Sequence, residues 1–344
     1  MKYYSFAKFQ TPHVLLPYKE DILSKLTVLF ISRRCLININ SGGTVKRIKD
    51  AKLYTHKFHE SEIFIKNTSR ISDNHFQANF RLIKNHGFYS DFLACQSKIN
   101  PFFLLECARQ AETVLSHTEF AIAVDSKFLL DRWSITYYPT GFDDTGTLKA
   151  DVYTKEPTTK KTNKNTFNIV FKLKETVIGV VKIEVRYITN SCYKRIRRIA
   201  NGNTFPKIST PLLPATVCFT SQENVVLADL SDEGPYVKAT IYISNDNKSL
   251  NDHEQDHITG MNLTEAVKQI CYSYISLYMK EKNNCYIPIK LEANFYSYVE
   301  KHIPAVLVIK KVTLQDNLYL FDVDIIQNEK TLATVNLKLG GEYG

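Results

Sequence analysis

Apolar and polar residues follow a helical spacing after residue 260, and this pattern predicts a helix that enters a core. Its polar members are Glu265, Lys268 and Gln269, which lie one turn apart. An unpaired charge is expensive to bury, so either these side chains form a solvated stripe or the helix lines a site. The apolar members of the pattern are Met261, Leu263, Ala266, Val267 and Ile270.

The same pattern occurs earlier in the chain. The segments LLECARQA (104–111) and LTEAVKQI (263–270) superpose without a gap, and 159 positions separate Glu106 from Glu265. A single Glu with a basic residue three positions later is usually a weak surface ion pair. This pair occurs twice, on helices that a sheet is expected to cover, and this favours a functional site over a surface ion pair. The shared polar residues are Glu106, Arg109 and Gln110 in the first copy and Glu265, Lys268 and Gln269 in the second.

The repeat extends to the strands. ESEIFIKN (60–67) echoes QENVVLAD (222–229), and two alternating strands joined by a polar turn occur at 166–185 and again at 319–339. We therefore predict an N-terminal arm (1–53), a first repeat (54–190), a linker (191–212) and a second repeat (213–344). One long helix wrapped by an antiparallel sheet is an α+β unit of the hot-dog type. The predicted fold is a double hot dog, with two antiparallel sheets that each wrap a central helix and cover each other's edges.

Composition narrows the class of protein. The chain has 344 residues and a net charge of +9, which favours acidic partners. Seven scattered cysteines without a CxxC pair indicate reduced thiols and a cytoplasmic location. No apolar run approaches the roughly 20 residues of a membrane span, and the N-terminus lacks the apolar core of a signal peptide. The densest basic run, YKRIRR (193–198), is either a solvated connector or a docking patch. No nucleic-acid-binding motif accompanies it, so nucleic acid is not an expected partner.

The residues before the second helix could stabilise an oxyanion. DHEQDHITG (252–260) places His257 and Gly260 next to the helix N-terminus, whose free N–H groups can bind a carbonyl oxygen or a phosphate. His253 and His257 have a spacing that zinc could use, but no third ligand follows at a suitable spacing, and we expect no metal. The first copy has INPFFLLE (99–106) instead. The two sites should therefore be unequal, with Glu265 as general base contributing more to turnover than Glu106.

These motifs resemble the A-factor biosynthesis hot-dog family, the bacterial γ-butyrolactone signal synthases. The resemblance covers about residues 54–344 and rests on THKFHESEIFIKN (55–67), LLECARQ (104–110) and DHEQDHITGMNLTEAVKQ (252–269). The sequence departs from the family at Lys268, where the second copy usually has Arg. Because Lys cannot grip a phosphate or carboxylate bidentately, this departure weakens the case for a phosphate-bearing substrate or for the second site.

The resemblance implies a cytoplasmic acyltransferase of quorum-sensing and secondary metabolism. It would move a β-ketoacyl group from an acyl-carrier protein to the hydroxyl of dihydroxyacetone phosphate, without a cofactor, as a monomeric pseudo-dimer. The alternatives are a hydroxyacyl-thioester dehydratase and a non-catalytic acyl-ligand binding protein. The resemblance implies catalytic roles for Glu265, Glu106 and His257 and substrate-binding roles for Lys268, Arg109, Gly260, Gln269 and Gln110.

Overall fold

The computed structural model describes residues 45–47, 50–141, 147–197, 209–232, 236–244 and 246–341. Most of the predicted N-terminal arm and residues 198–208 of the predicted linker lie outside these ranges. Within the described part of the chain, no helix is long and apolar enough to cross a membrane.

Two long helices are the centres of the two halves. The first central helix spans Pro101–Thr118 and the second spans Gly260–Tyr274, so the two begin 159 positions apart, at the residues where the repeat predicted them. Each start is capped by a side chain: Asn100 accepts a hydrogen bond from the amide of Phe102, and Thr259 accepts one from the amide of Asn262. The second helix continues as a π-helical turn, Ile275–Met279.

Fifteen strands are described, of which thirteen form one sheet and two, β10 and β12, form a separate pair. Both predicted hairpins are confirmed, as β6–β7 and β14–β15. The strands are β1 Val45–Arg47, β2 Ile65–Arg70, β3 His75–Phe80, β4 Lys127–Tyr137, β5 Leu148–Thr154, β6 Lys164–Leu173, β7 Thr176–Ile188, β8 Leu227–Ser231, β9 Val237–Ile241, β10 His257–Ile258, β11 Tyr286–Phe295, β12 Val299–Glu300, β13 Val306–Gln315, β14 Leu318–Gln327 and β15 Lys330–Gly341.

The remaining elements are short. Two further α-helices are Ala51–Thr55 and Asn190–Arg197, and the second of these occupies the start of the predicted linker. The 3₁₀ turns are Glu60–Glu62, Leu93–Cys95, Pro214–Val217, Gln222–Asn224 and Asn283–Cys285.

The order of strands in the large sheet repeats between the halves. From one edge to the junction the order is β1-β2-β3-β5-β6-β7-β4, and from the junction to the other edge it is β11-β15-β14-β13-β9-β8. Apart from β1, each strand of the first half has a counterpart in the second, and the two series are mirrored about the antiparallel β4–β11 pair. The two sheets expected from the sequence are therefore joined edge to edge, and the β4–β11 pairing leaves neither of these two strands with a free edge at the junction.

Both central helices pack closely on this sheet. A Cβ atom at Gly179 on β7 would lie 3.0 Å from Leu104 of the first helix. A Cβ atom at Gly260 would lie 2.9 Å from Leu130 on β4, and Trp133 and Phe295 are the next nearest side chains. The start of the second helix therefore lies against the β4–β11 junction, and this contact brings it close to the first half of the chain.

Candidate active site

A cavity of about 1000 Å³ lies between the two halves of the sheet. The first central helix contributes Glu106, Arg109, Glu112 and Thr113 to its wall, and the second contributes residues of its first turn, Gly260, Met261 and Leu263. Strands of both halves add an apolar surface that is large enough to accommodate an acyl chain. Its side chains include Leu129, Leu130, Trp133, Ile183, Val185 and Phe295.

Glu106 and Arg109 form a two-pronged ion pair at this wall. Arg109 donates from Nε to Glu106 Oε2 and from Nη2 to Oε1, each at 2.8 Å. The same guanidinium also donates to the carbonyl of Thr55, at 3.2 and 3.3 Å. Glu106 is 1% exposed, whereas the side chain of Arg109 is 24% exposed. The pair is therefore held rigidly, with its cationic member towards the cavity.

Lys57 places a second cation beside Glu106. Its Nζ lies 3.4 Å from Glu106 Oε1 and also donates to the carbonyl of Ser249 in the second half, at 3.4 Å. Burial alone would raise the pKa of Glu106, but the charges of Arg109 and Lys57 and the hydrogen bonds that Glu106 accepts outweigh it and lower the pKa to about 2. Glu106 is thus a fixed anion between two cations, and the carboxylate is a weak base.

Glu112 lies six residues beyond Glu106 on the same helix and is in a different state of ionisation. It accepts hydrogen bonds from Ser116 Oγ at 3.0 Å and from Thr113 Oγ1 at 3.2 Å. Burial raises the pKa of Glu112 to about 7, because these hydrogen bonds and the charge of Arg109 compensate only partly for lost hydration. The Glu112 carboxyl group at the cavity wall is therefore suited to exchange a proton near neutral pH.

The first turn of the second helix presents backbone donors to the same cavity. The amide of Asn262 donates to Thr259 Oγ1 at 3.3 Å, and the amide of Leu263 donates to the carbonyl of Thr259 at 3.0 Å. No acceptor in the described ranges contacts the amides of Gly260 and Met261, which have no partner inside the helix either. Two N–H groups at the positive end of a helix dipole can bind a carbonyl oxygen or an anion.

His257 lies at the mouth of the cavity in an ion network. Its Nδ1 is 2.7 Å from Asp256 Oδ1, and Asp256 also accepts a hydrogen bond from the hydroxyl of Tyr193. Arg197 donates to Asp256 at 3.0 Å and forms a two-pronged pair with Glu300. The basic helix Asn190–Arg197 is therefore tied to the mouth by its last residue. Arg198, the last residue of the basic run, lies outside the described residues.

The second copy of the motif is sealed. Glu265 and Lys268 are 0% exposed, and Lys268 Nζ lies 2.9 Å from Glu265 Oε2. Neither residue lines the cavity described above. Lys268 Nζ is surrounded by aromatic faces, at 3.8 Å from the ring centroid of Phe92, 4.5 Å from Phe102, 4.8 Å from Phe219 and 5.9 Å from Phe88. Cation–π attraction compensates in part for the hydration that the ammonium has lost.

The glutamine of each copy makes the same structural contacts. Gln110 accepts a hydrogen bond from the amide of Phe64 at 2.8 Å and donates to the carbonyl of Glu62 at 2.7 Å. Gln269 accepts one from Val226 and donates to Asn224, at the same two distances. Each glutamine also donates to its own motif glutamate, at 2.9 Å. Both glutamines tie a central helix to an incoming strand and do not line the cavity.

Each half also sends a loop across to the other. Asp252, in the loop before the second helix, accepts hydrogen bonds from the amides of Phe58 and His59. Asp91, in the loop before the first helix, accepts them from the amides of Thr220 and Ser221, at 3.3 and 3.0 Å. Since Thr220 follows Phe58 by 162 positions and Ser221 follows His59 by the same number, the two contacts are equivalent.

The same correspondence identifies equivalent residues around the two copies of the Glu–cation–Gln motif. Lys57 corresponds to Phe219, Ser249 to Phe88, His253 to Phe92, and Met261 to Phe102. Around the first copy these positions are mostly polar and border the cavity, whereas around the second they are four phenylalanines that contact Lys268. Among the described residues, the Glu–cation–Gln motif therefore occurs twice, and only its first copy borders the cavity.

The comparison with known families agrees with this duplication. Residues 45–189 and 203–339 each match the A-factor biosynthesis hotdog domain. The chain belongs to the A-factor biosynthesis hotdog family. It is 22% identical over 271 residues to a 2-oxo-3-(phosphooxy)propyl 3-oxoalkanoate synthase of Streptomyces virginiae, covering 76% of this chain and 87% of that protein.

Solved structures with a similar arrangement are more distant. The dehydratase domain of RzxB from Pseudomonas fluorescens is 10% identical, with a TM-score of 0.48 over 82% of this chain and 98% of that one. An acyl-ACP thioesterase from Bacteroides thetaiotaomicron is 12% identical, with a TM-score of 0.46 over 77% and 96%.

The structure brings together only some of the residues that the sequence singled out. Four residues of this family member line one cavity, and they come from both repeats: Glu106, Arg109, His257 and Gly260. The other four are buried elsewhere: Glu265, Lys268, Gln269 and Gln110. Sequence reasoning missed Lys57 and Glu112. Lys57 stands inside the quoted THKFHESEIFIKN segment, but Glu112 has no signal in the repeat, because Cys271 occupies the equivalent position.

Proposed function

We propose that the chain is an acyl-transfer enzyme of γ-butyrolactone signal synthesis. It would move a β-ketoacyl group from an acyl-carrier-protein thioester to the hydroxyl of dihydroxyacetone phosphate. The observation that carries this proposal is the cavity in which Lys57, Arg109, the buried Glu112 carboxyl group and the N-terminus of the second central helix meet beside an apolar wall. The name of the Streptomyces virginiae relative describes an ester of these two components.

The proposed roles follow from the position of each group. The acyl chain would lie along the β4–β11 wall. The amides of Gly260 and Met261 would bind the thioester oxygen as it gains negative charge, and this kind of stabilisation contributes most when the donors are fixed before the reaction. Lys57 and Arg109 would attract the phosphate, while Glu106 holds both cations in place. His257 would contact the substrate at the mouth of the cavity.

This proposal moves the site from the second copy of the motif to the first. The sequence favoured Glu265 as general base because His257 and Gly260 precede its helix. In the structure those two residues border the cavity that contains Glu106, whereas Glu265 lies behind the phenylalanines. We therefore propose that Glu265, Lys268 and Gln269 stabilise the second half, and that the site combines the first copy with the turn that precedes the second.

Mass spectrometry of the purified full chain tests this function. Incubation with a β-ketoacyl thioester and dihydroxyacetone phosphate should produce the phosphorylated ester and free thiol. Conversion of a hydroxyacyl thioester to the enoyl product, without ester formation, would instead identify a dehydratase. Tight binding of an acyl thioester with neither product would identify a ligand-binding protein. In either case the acyltransferase proposal would be abandoned.

A further inference from the structure

We propose that Glu112 is the catalytic base of this cavity, the group that takes the proton from the attacking hydroxyl. This inference rests on the acyl transfer proposed above and assigns a residue that the family motif does not contain. Glu112 belongs to the cavity wall together with Arg109, three positions before it on the helix. Its carboxyl group therefore borders the same cavity as the cation that would hold the acceptor substrate, and it experiences the charge of that cation.

A chain of hydroxyl groups orients this carboxyl. Tyr187 OH on β7 lies 2.9 Å from Ser116 Oγ, and Ser116 Oγ donates to Glu112 Oε1 at 3.0 Å. Thr113 Oγ1 reaches both Glu112 Oε2 and the carbonyl of Arg109, so its single hydrogen is shared between two acceptors. Oε1 of Glu112 thus accepts a full hydrogen bond from Ser116, whereas Oε2 accepts only a shared one from Thr113. A catalytic base needs this combination: its carboxylate is held in a fixed orientation, and one oxygen can still accept a proton.

The repeat provides an independent argument. Every polar residue of the Glu–cation–Gln motif recurs 159 positions later, so the fold uses those residues in both halves. Glu112 does not recur: Cys271 takes its position, and Ile275 takes that of Ser116. Both replacements are buried, so the second half folds with apolar groups in these places. A buried carboxyl that only the open copy carries is therefore explained better by chemistry than by folding.

The surroundings of Glu112 suit proton exchange. Burial raises the pKa of Glu112 to about 7, and the opposing groups are Ser116, Arg109 and Thr113 on its own helix and Tyr187 on β7. Burial raises the pKa of Tyr187 as well, so this phenol stays neutral. Glu106, in contrast, is held as a carboxylate by Arg109 and Lys57. Of the two glutamates that the first central helix contributes to the wall, Glu112 is the one that can change its protonation state within the physiological range.

The hydroxyl oxygen of the acceptor forms a bond to the thioester carbonyl carbon as its proton moves to the Glu112 carboxylate. The negative charge that develops on the carbonyl oxygen is bound by the amides of Gly260 and Met261. The carbon–sulfur bond then breaks, and Glu112 returns the proton to the leaving thiolate. The carboxylate is regenerated without any further reactant.

Rates across a pH range that brackets 7 test this role in the full chain. In the unmodified protein the rate should rise with pH through about 7 and then level off, because the carboxylate is the active form. Glu112→Gln should lower the rate by about 100-fold or more and remove the rise, since a positioned base typically contributes that much. Ser116→Ala removes a donor to the carboxylate, so the rise should move to higher pH. A merely structural role for Glu112 would not produce that movement.

A second measurement does not depend on the substrate. Glu112 keeps its proton in the folded protein up to about pH 7 but would lose it near 4.5 in the unfolded chain. Its contribution to stability is therefore present below about pH 4.5 and declines as pH rises through 7. The difference in unfolding free energy between the unmodified protein and Glu112→Gln should follow that decline.

The outcomes separate the two proposals. Absence of ester from the unmodified protein overturns the acyl transfer itself. Ester formation by Glu112→Gln at a normal rate and with an unchanged pH profile overturns the role of Glu112 and leaves the acyl transfer in place. A pH-independent difference in unfolding free energy also overturns it, because Glu112 would then not titrate in this range.

Discussion

The Glu106–Arg109 and Glu265–Lys268 pairs occupy equivalent turns of two equivalent helices, yet one borders a cavity and the other is enclosed by phenylalanines. The backbone contacts around them are the same, since Gln110 and Gln269 make matching hydrogen bonds. What differs is a small set of side chains contributed by other segments, among them Lys57 against Phe219. A repeated polar motif can therefore keep the same structural contacts in both halves while only one copy borders a cavity.

The comparison separates two uses of buried charge. A buried ion pair gains little net stability over well-packed apolar residues, but removing one partner is costly because it leaves an uncompensated charge. In the sealed copy, Lys268 has one anionic partner and a shell of aromatic rings. In the open copy, Glu106 has two cations and Arg109 is partly exposed. The sealed pair should therefore be the more sensitive to loss of its cation.

The largest expected difference concerns stability. Lys268→Met should destabilise the protein by about 3–5 kcal/mol, because Glu265 is left buried beside no cation. Arg109→Met should cost less, since Lys57 still neutralises Glu106. Denaturant unfolding of both variants measures the contrast. Equal losses would show that the aromatic enclosure makes no difference to the energetics of the pair.

The free energy of unfolding at acid pH should report on the Glu106–Arg109 pair. The pKa of Glu106 is about 2 in the folded protein against 4.5 for an ordinary Glu, so its ionised form stabilises the fold above about pH 4.5 and this stabilisation is lost as pH falls through 2. The contribution is on the order of 3 kcal/mol. The difference in unfolding free energy between the unmodified protein and Glu106→Gln should shrink across that window. A difference that does not vary with pH would mean that Glu106 is not held as an anion.

Exchanging the two cations should affect different properties. Arg109→Lys loses the two-pronged geometry, and the rate should fall about 10- to 100-fold, the equivalent of one charge-assisted hydrogen bond. Lys268→Arg must fit a larger group among four rings, so stability should fall by about 1–3 kcal/mol while the rate is kept. Initial rates and unfolding midpoints of both variants test this. A faster reaction in Lys268→Arg would indicate that the second copy is the working site.

The smallest expected effect is at the surface. Lys194 and Arg195 are exposed on the helix at the mouth, whereas Arg197 is paired with Asp256 and Glu300. Replacing Lys194 and Arg195 by Ala should weaken binding of an acidic acyl-carrier protein by less than about 10-fold, and only at low salt. Affinity measured over a series of salt concentrations tests this. Unchanged affinity at low salt would exclude these two residues from carrier docking.

Much of the fold could be predicted because the same sequence pattern occurs in both halves of the chain. The offset between Glu106 and Glu265 predicted where both central helices begin, and alternating residues predicted both hairpins. The sequence predicted that the two halves would cover each other's sheet edges, but it could not predict that β4 and β11 form the junction, because strand edges carry no partner-specific pattern. The single continuous sheet is the result.

The candidate site could be predicted only in part, for a physical reason. The helix motif is nearly the same in both copies, and the residues that seal one of them stand elsewhere in the chain. Phe219 is brought to Lys268 from the start of the same repeat, and Phe88 comes from the opposite half. His257 and Gly260 precede Glu265 in sequence but border Glu106 in space. Glu112 looks in the sequence like any other glutamate of a helix, and its burial and hydrogen bonds become visible only in the structure.

Replacing each ion pair as a whole tests the central claim most directly. Glu265→Gln with Lys268→Met removes both charges of the sealed copy, so the protein should stay folded, with stability nearly unchanged or higher, and should keep near-normal ester formation. Glu106→Gln with Arg109→Met should leave a folded protein whose rate falls about 100-fold or more. Initial rates and unfolding midpoints are measured on both double variants. A folded protein that loses turnover through the sealed pair, and keeps it without the Glu106–Arg109 pair, would contradict the account and return the site to Glu265.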